Sequence, residues 1–419
     1  MRFIYSYLLY LLTPFLFVRL LWKSRQLPAY RKRIGERFMW STPSTGEVDV
    51  WVHAVSLGEV IAVTPLVDAM LRKRWKVLLT TMTPTGSQRV LNQFEKKVYH
   101  QYLPYDLPAI QRHFFKRYKP RLGIIMETEL WPNMIYEAHK MKIPLMLMNA
   151  RLSRRSMQNY QKAAFFFKKV LNRFTAILTQ SEDDALRFIH LGARKNIVHA
   201  VGNMKFDLQL SAIIADKYKA LQHRWGSERT VVIAASTHDN EEALLLEQLP
   251  VLQQSIENVL LLIAPRHPER FRPVYQYSVQ QGFNTGLRSE SNSLSPQNEV
   301  IILDCLGELM VWYQLSHYAF VGGSFVEVGG HNVLEPIAVN VPVFTGPHVH
   351  NFKTICKDLM QAEAMIMIDH PEALVNQIIY LHENEVIRIR QIRNANHFLE
   401  KNKGSIERYL ARIEQVLSR

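Results

Sequence analysis

Short runs of hydrophobic residues alternate with helix-length stretches along the chain from about residue 45. The first half contains runs that predict buried strands at 48–54, 76–82, 122–126, 144–149 and 176–180. Between and after them lie amphipathic segments that predict helices near 58–73, 84–95, 106–118, 131–141, 156–172 and 182–190. This alternation is typical of a parallel sheet with helices on both faces.

The same pattern restarts in the second half of the chain. Strands are predicted at 231–236, 259–264, 300–303, 318–322, 341–345 and 365–368, and terminal helices at 371–397 and 403–418. The boundary lies near 202–207, followed by a polar helix around 210–225, whereas the polar stretch 284–299 reads as a loop. The sequence therefore predicts an α/β protein with two doubly wound domains in tandem.

The N-terminal segment 3–22 is apolar over 20 residues, with Arg19 as its single charge. That length is sufficient to cross a bilayer, and Trp22 suits the membrane interface. No small-x-small cleavage site follows, which disfavours a signal peptide. A spanning helix, a helix lying in the interface and a buried core helix all remain open.

The formal net charge of +14 comes from two segments of the chain. Residues 1–40 and 151–180 carry +7 each, and the remainder is neutral. This distribution argues against a nucleic-acid-binding protein. The basic residues between 23 and 37, directly after the apolar segment, favour contact with anionic lipid headgroups. By the positive-inside rule they also predict that the body of the protein lies in the cytoplasm. The aromatic and basic segment 162–174 would suit a membrane surface, or equally an ordinary amphipathic helix.

Glu59 is the first residue with candidate chemistry. An apolar strand runs into a turn with Ser56 and Gly58, and a helix is expected to start near Glu59. Its carboxylate would lie at the carboxyl edge of a parallel sheet, where open α/β folds bind ligands. An ionised carboxylate there can act as a general base. The alternative, which spacing alone favours, is a glutamate that only complements the helix dipole.

Two more carboxylates, Glu127 and Glu129, end another predicted central strand. Their repulsion requires a facing cation, which makes a functional role plausible. The alternative is a helix cap, with Trp131 and Pro132 in the first turn.

A glycine-rich run covers residues 320–336. The paired glycines 322–323 and 329–330 flank a loop, and a helix is expected to begin at His331 or Asn332. Backbone N–H groups in such a turn can bind phosphate, although the spacing matches no dinucleotide or Walker motif, and tight turns alone are the alternative.

Arg266 follows a predicted strand, so its guanidinium could reach a phosphate at the same sheet edge. The neighbouring predicted strand also ends at this edge of the sheet, at residues 235–238. For His238, His267 and His331 a hydrogen-bonding, non-catalytic role is the favoured interpretation. No residues have convincing metal-ligand spacing, so no metal is expected. The two cysteines exclude a disulfide framework.

These segments together resemble the 3-deoxy-D-manno-octulosonic acid (Kdo) transferase family. The resemblance rests on HAVSLGE (53–59), ETELWPN (127–133), NARLSRRS (149–156), GNMKFD (202–207), APRHPERF (264–271) and GGSFVEVGGHNVLEP (322–336). It implies a GT-B glycosyltransferase, with two Rossmann-like domains facing across a cleft and an N-terminal membrane helix. The implied ranges are 1–25 for the membrane helix, 26–205 for the acceptor domain, 206–385 for the nucleotide domain and 386–419 for C-terminal helices.

The resemblance also implies the reaction and the roles of individual residues. Kdo would move from CMP-Kdo to the lipid A precursor lipid IV-A with inversion, without a metal or cofactor. Glu59 would be the general base, and Glu129 and Lys205 would stabilise the transition state. The CMP-binding positions would be Pro265, Arg266, Leu306, Gly307, Glu308, Asn332, Val333, Leu334 and Glu335.

The implied location is the cytoplasmic face of the inner membrane, with anionic lipids as partners and no nucleic acid. A GT-B enzyme with a different nucleotide sugar or acceptor is one alternative. A membrane-tethered nucleotide-binding protein without catalysis is another, although the presence of both Glu59 and Arg266 counts against it.

Overall fold

The computed structural model describes residues 2–26, 28–41, 46–207, 229–290 and 294–418. The chain forms two compact units, one from Met1–Asp207 with Lys403–Arg419 and the other from Leu208–Asn402. The helix expected around 210–225 lies outside the described residues. The range 386–419, expected as one pair of C-terminal helices, is divided between the two units.

Unit 1 is built on a seven-stranded parallel sheet in the order β3-β2-β1-β4-β5-β6-β7. Its strands are β1 Val50–His53, β2 Val77–Thr81, β3 Tyr99–Tyr102, β4 Leu122–Met126, β5 Leu145–Ala150, β6 Ala176–Thr179 and β7 Val198–Ala200. The strand order reverses between β1 and β4, which are hydrogen-bonded neighbours. Such a switch point is where doubly wound sheets bind ligands, at the carboxyl ends of the strands.

The helices of unit 1 cover both faces of this sheet. They are α1 Arg2–Gln26, α2 Ile34–Arg37, α3 Leu57–Arg72, α4 Pro84–Phe94, α5 Pro108–Tyr118, α6 Pro132–Lys140, α7 Arg154–Gln161, α8 Ala164–Leu171 and α9 Glu182–His190. The single helix expected at 156–172 is two helices, because Ala163 leaves the helical conformation at φ −127° and ψ 37°. By length and composition α1 could cross a membrane, and its exposed apolar side chains rule out a buried core helix.

Unit 2 repeats the architecture with a sheet in the order β10-β11-β9-β8-β12-β13-β14. Its strands are β8 Thr230–Thr237, β9 Val259–Pro265, β10 Thr285–Leu287, β11 Val300–Ile302, β12 Tyr318–Val321, β13 Val343–Thr345 and β14 Ile366–Met367. The switch point lies between β8 and β12. The stretch 284–299 is not loop throughout, since β10 pairs with β11 at its start.

The helices described in unit 2 are α10 Glu241–Ser255, α11 Phe271–Gln280, α12 Leu309–Leu315, α13 Leu334–Ile337, α14 Lys353–Gln361, α15 Pro371–Glu383 and α16 Glu385–Asn402. The predicted helix 371–397 is thus two helices that meet at Asn384. Asn384 has φ −117° and ψ 70°, which ends α15.

The last helix, α17 Ser405–Leu417, packs against unit 1. The Asp207 carboxylate accepts hydrogen bonds from the backbone N–H of Gly404 at 2.6 Å and of Ile406 at 2.7 Å, and so caps the first turn. Tyr409 is fully buried and donates to the carbonyl of Gly202 at 2.9 Å. The C-terminus thereby supports the turn that carries Lys205.

Candidate functional site

Glu59 lies where the sequence predicts, in the first turn of α3 and just beyond the carboxyl end of β1. Its side chain folds back on the turn before the helix. One carboxylate oxygen accepts from the backbone N–H of Val55 at 2.9 Å, and the other accepts from Ser56 Oγ at 3.1 Å. The residue is buried, with 8% of its surface exposed. The carboxylate is therefore held in one orientation by the chain that leads into the helix.

The environment of Glu59 brings the pKa of its carboxyl group close to neutral pH. Burial raises its pKa to about 7, and the nearby carboxylates of Glu127 and Glu129 act in the same direction, against the hydrogen bonds from Val55 and Ser56. A carboxyl group with a pKa near the working pH suits proton abstraction. Perturbation of this kind by burial and like charges is typical of functional sites.

Glu127 and Glu129 follow β4, the strand next to β1 at the switch point. Glu127 has a φ of 55°, in the left-handed region that non-glycine residues rarely adopt, and its N–H donates to the carbonyl of Met148 at 2.9 Å. Glu129 accepts from Trp131 Nε1 at 2.8 Å. Burial raises the pKa of Glu129, and the charge of Glu127 adds to this effect.

Lys205 supplies the cation that these carboxylates require. It lies in a 3-10 turn, Met204–Phe206, after β7. The side-chain oxygen of Asn149 accepts from the N–H of Met204 at 3.1 Å, and that of Asn203 accepts from the N–H of Lys205 at 3.0 Å. Burial lowers the pKa of Lys205, while the negative charge of Glu127 opposes this shift.

The site in unit 1 is thus a cluster of three carboxylates and a lysine at the carboxyl edge of the sheet. The structure brings together Glu59, Glu129 and Lys205, which come from distant parts of the chain. The family resemblance assigned no role to Glu127, yet Glu127 interacts electrostatically with all three. Its position directly after β4 was the signal available in the sequence.

In unit 2, the first glycine pair does not form the open phosphate cradle that the sequence suggested. The carboxylate of Glu241, at the start of α10, accepts four backbone N–H groups there. The donors are His238 at 2.9 Å, Gly323 at 2.7 Å, Ser324 at 3.0 Å and Phe325 at 2.9 Å. Glu241 is completely buried. An internal carboxylate therefore already fills the anion-binding turn.

The second glycine pair is also engaged within the protein. The N–H groups of Gly329 and Gly330 both donate to the carbonyl of Gly323, at 3.1 and 2.7 Å. Helix α13 begins at Leu334, not at His331 or Asn332 as expected, and contains four residues. The glycines of this run serve tight turns, as the positive φ of Gly323, Gly329 and Gly330 indicates.

Three histidines cluster where these turns meet the end of β8. The Nε2 atoms of His238 and His331 are 2.8 Å apart, and the rings of His238 and His267 lie 5.2 Å apart edge to face. Burial, together with the charge of the nearby Arg266 guanidinium, lowers the pKa of His331 to about 4. Among the described residues, no three His, Cys, Asp or Glu side chains are grouped as metal ligands.

Arg266 follows Pro265, the last residue of β9, and its N–H donates to the carbonyl of Thr237 at 2.9 Å. Burial raises the pKa of Glu335. A hydrogen bond from Asn332 at 3.1 Å and the positive charge of Arg266 both oppose this increase. Val333 and Leu334, which lie between Asn332 and Glu335 in the sequence, are buried. Two of the segments expected to bind the nucleotide, 265–266 and 332–335, therefore lie close together.

The third expected nucleotide segment, Leu306 to Glu308, follows β11. Glu308 accepts from Arg288 Nε at 3.1 Å, which fixes its carboxylate. Leu306 is 73% exposed, and Gly307 has a φ of 86° with open space at its Cβ position. Since β11, β9, β8 and β12 are consecutive neighbours, all three segments project from one edge of the sheet.

The comparisons with known proteins agree with this architecture. Residues 32–208 match the family described as 3-Deoxy-D-manno-octulosonic-acid transferase (kdotransferase). A 3-deoxy-D-manno-octulosonic acid transferase of Haemophilus influenzae is 36% identical over 426 aligned residues, which cover 100% of this chain and 99% of that protein. The enzyme of the same name from Bordetella pertussis is 32% identical over 93% of this chain and 91% of its own length.

A solved glycosyltransferase from Rickettsia africae superposes with a TM-score of 0.58 at 11% identity, over 89% of this chain and 99% of that chain. The fold, with chemistry-bearing residues at the carboxyl edges of two parallel sheets, is that of the GT-B glycosyltransferases. The chain belongs to the Kdo transferase family. The prediction of an α/β protein with two doubly wound, parallel-sheet domains is confirmed, as is the resemblance read from the motifs. Membership makes it a glycosyltransferase that transfers Kdo in lipopolysaccharide biosynthesis.

Proposed function

We propose that the protein transfers Kdo from CMP-Kdo to the lipid A precursor lipid IV-A in a single inverting displacement, with Glu59 as the general base. The observation that carries the proposal is the burial of Glu59 in a fixed orientation, with its pKa raised to about 7. A carboxylate with this pKa is basic enough to accept a proton from a hydroxyl as the hydroxyl attacks, and it is still substantially ionised at neutral pH.

The proposed displacement moves one proton, forms one bond and breaks one bond. Glu59 takes the proton of the acceptor hydroxyl, whose oxygen forms a bond to the anomeric carbon of Kdo. The bond from that carbon to the CMP phosphate oxygen breaks, and CMP leaves with the electron pair. Lys205 offsets the charge of Glu127 and, with Glu129, stabilises the transition state on the acceptor side.

On the donor side we propose that unit 2 holds the CMP moiety. Arg266 neutralises the departing phosphate, and the neighbouring pair of neutral histidines, His238 and His331, which is joined through the two Nε2 atoms, offers one free ring N–H beside it. Because Glu241 occupies the amides after the first glycine pair and the Gly323 carbonyl occupies those of the second pair, phosphate stabilisation falls to these side chains. The half-buried Glu335, which accepts a hydrogen bond from Asn332, would also accept hydrogen bonds from a ribose diol. The proposed reaction uses no metal or cofactor.

We place the reaction at the cytoplasmic face of the inner membrane, where the lipid acceptor and anionic headgroups would meet the basic segments 1–40 and 151–180. The length and apolar character of α1 support this placement, as does the concentration of the charge excess in those two segments.

Nucleotide preference tests the donor assignment. Calorimetric titration is expected to show binding of CMP and little binding of UDP or GDP. Arg266→Ala should weaken CMP binding by roughly 10- to 100-fold, the usual effect of losing a hydrogen bond to a charged group. Arg272→Ala is the matched control, because Arg272 is exposed and pairs with Glu290 on the surface. Equal affinity for UDP, or unchanged CMP affinity in Arg266→Ala, would contradict the assignment.

A further inference from the structure

Helix α1 has two different faces along its whole length. Less exposed side chains recur every three or four residues on one face, at Ser6, Leu9, Thr13, Leu16 and Leu20, and Tyr5 lies beside the first of them. The opposite face exposes an unbroken apolar stripe of Ile4, Leu8, Leu11, Phe15, Val18 and Trp22. At 3.6 residues per turn, the members of this stripe fall within an arc of about 80°. The difference in exposure shows that one side of α1 packs on unit 1 and the other side is left uncovered.

The first turns of α1 are fixed to unit 1 by a buried polar network. Tyr5 donates to the Asp106 carboxylate at 3.0 Å, and Ser6 donates to Asn133 Oδ1 at 2.9 Å. The same Asp106 carboxylate accepts the backbone N–H groups of Asn133 at 3.0 Å and Met134 at 2.7 Å, at the start of α6. These contacts satisfy polar groups that would be costly to leave unpaired.

The other end of α1 contacts the same unit. Leu20 and Ser24 are buried, the Phe17 ring lies 6.5 Å from that of Phe38, and the Lys23 ammonium lies 5.5 Å from the ring of Tyr30. The helix has 25 residues and is about 37 Å long. A spanning helix of this length would place its two ends on opposite sides of a hydrocarbon layer about 30 Å thick. Here both ends contact one folded unit.

The two basic segments of the sequence meet beside this helix. The ring of Tyr136, on α6, lies 3.4 Å from the guanidinium carbon of Arg2 and 5.2 Å from that of Arg173. On α8, Phe165 is 66% exposed, and the Lys169 ammonium lies 4.2 Å from its ring. Apolar and basic groups from α1 and α8 therefore border the same helix, a combination that suits an anionic lipid surface.

We propose that α1 lies in the plane of one anionic leaflet and does not cross the bilayer. Its apolar stripe would enter the boundary between headgroups and acyl chains, while its other face stays on unit 1. This inference rests on the membrane placement proposed above and makes it more specific. Asn133, which holds Ser6, follows Glu129 and Trp131 at the carboxyl edge of the sheet. The leaflet that binds α1 would therefore lie next to the proposed acceptor site.

Depth measurements along the stripe test this proposal with the full chain. Single cysteines replace Ile4, Leu11 or Val18 in a Cys305→Ser background, because Cys356 is completely buried. Each cysteine carries a small fluorophore, and the protein is bound to vesicles of phosphatidylethanolamine and phosphatidylglycerol. Lipids with quenchers at different depths then locate each position. Lys76→Cys, exposed before β2 at the amino edge of the sheet, is the control.

An in-plane helix places all three labels at the same shallow depth, within a few ångströms of one another. A spanning helix separates the first and last labels by about 21 Å along its axis and puts the Leu11 label near the bilayer centre. That depth gradient, in protein that binds the vesicles, would overturn the in-plane helix and leave the membrane location intact. If no label is quenched although the protein folds, the proposed membrane location fails as well.

Discussion

Glu59→Gln is expected to lower kcat for Kdo transfer by roughly 10³-fold, because general-base catalysis typically contributes 10²- to 10⁴-fold. The amide keeps the shape of the side chain and its hydrogen bond from Val55, but it cannot take the proton of the acceptor hydroxyl. The rate of Kdo transfer at saturating donor measures the effect. Glu47→Gln is the matched control, since Glu47 is exposed and pairs with Lys119 on the surface.

The pH dependence of the rate separates a base from a merely structural glutamate. The pKa of Glu59 is raised to about 7, so its carboxylate is protonated below that value and ionised above it. The wild-type rate should therefore rise with pH, with a midpoint near 7, whereas the residual rate of Glu59→Gln should lack this step. A Glu59→Gln protein with wild-type kcat, or with the same pH midpoint, would contradict the assignment.

Glu241→Ala is expected to destabilise unit 2 more than other single side-chain truncations. The change removes a buried carboxylate that accepts four backbone N–H groups, including those of Gly323 and Ser324. Leaving these buried N–H groups without an acceptor lowers the free energy of unfolding by an amount on the order of 4 kcal/mol. Urea unfolding of the full chain, followed by fluorescence, measures the loss. Glu241→Gln, which keeps one acceptor oxygen, should recover part of the stability.

Glu247→Ala provides the control for this prediction. Glu247 lies on the same helix, α10, and is exposed to solvent. Its replacement should leave the urea midpoint nearly unchanged. If Glu241→Ala behaves like Glu247→Ala, the glycine-rich turn does not depend on the carboxylate, and the explanation given for its occupied amides is wrong.

The central strands of both sheets could be predicted from the sequence because they are continuous apolar runs. The strands that were missed lie at the sheet edges: β3 carries His100 and Gln101 among its residues, and β7 and β10 have three residues each. Pairing with a neighbour defines these strands, and local hydrophobicity does not reveal it. The division of the helices at Ala163 and Asn384 likewise depends on backbone angles that the apolar pattern does not encode.

The positions of the site residues were predictable to a similar extent. The strand-to-helix turn placed Glu59 at the carboxyl edge of the sheet, and the family motifs singled out Glu129, Lys205 and Arg266. The occupation of the glycine-run amides by Glu241 was not predictable, because that carboxylate is about 80 residues away in the chain. The clustering of His238, His267 and His331 also required the fold, since three elements bring them together.

The central claim is that this chain transfers Kdo from CMP-Kdo to a phosphorylated lipid acceptor. The most direct test is to incubate the purified full-length protein with CMP-Kdo and lipid IV-A and to read the masses of the lipid products. The account predicts lipid products heavier by one or more Kdo residues, with release of CMP, and no such products with Glu59→Gln in the same reaction time. Unmodified lipid after incubation with folded, CMP-binding wild-type protein would contradict it.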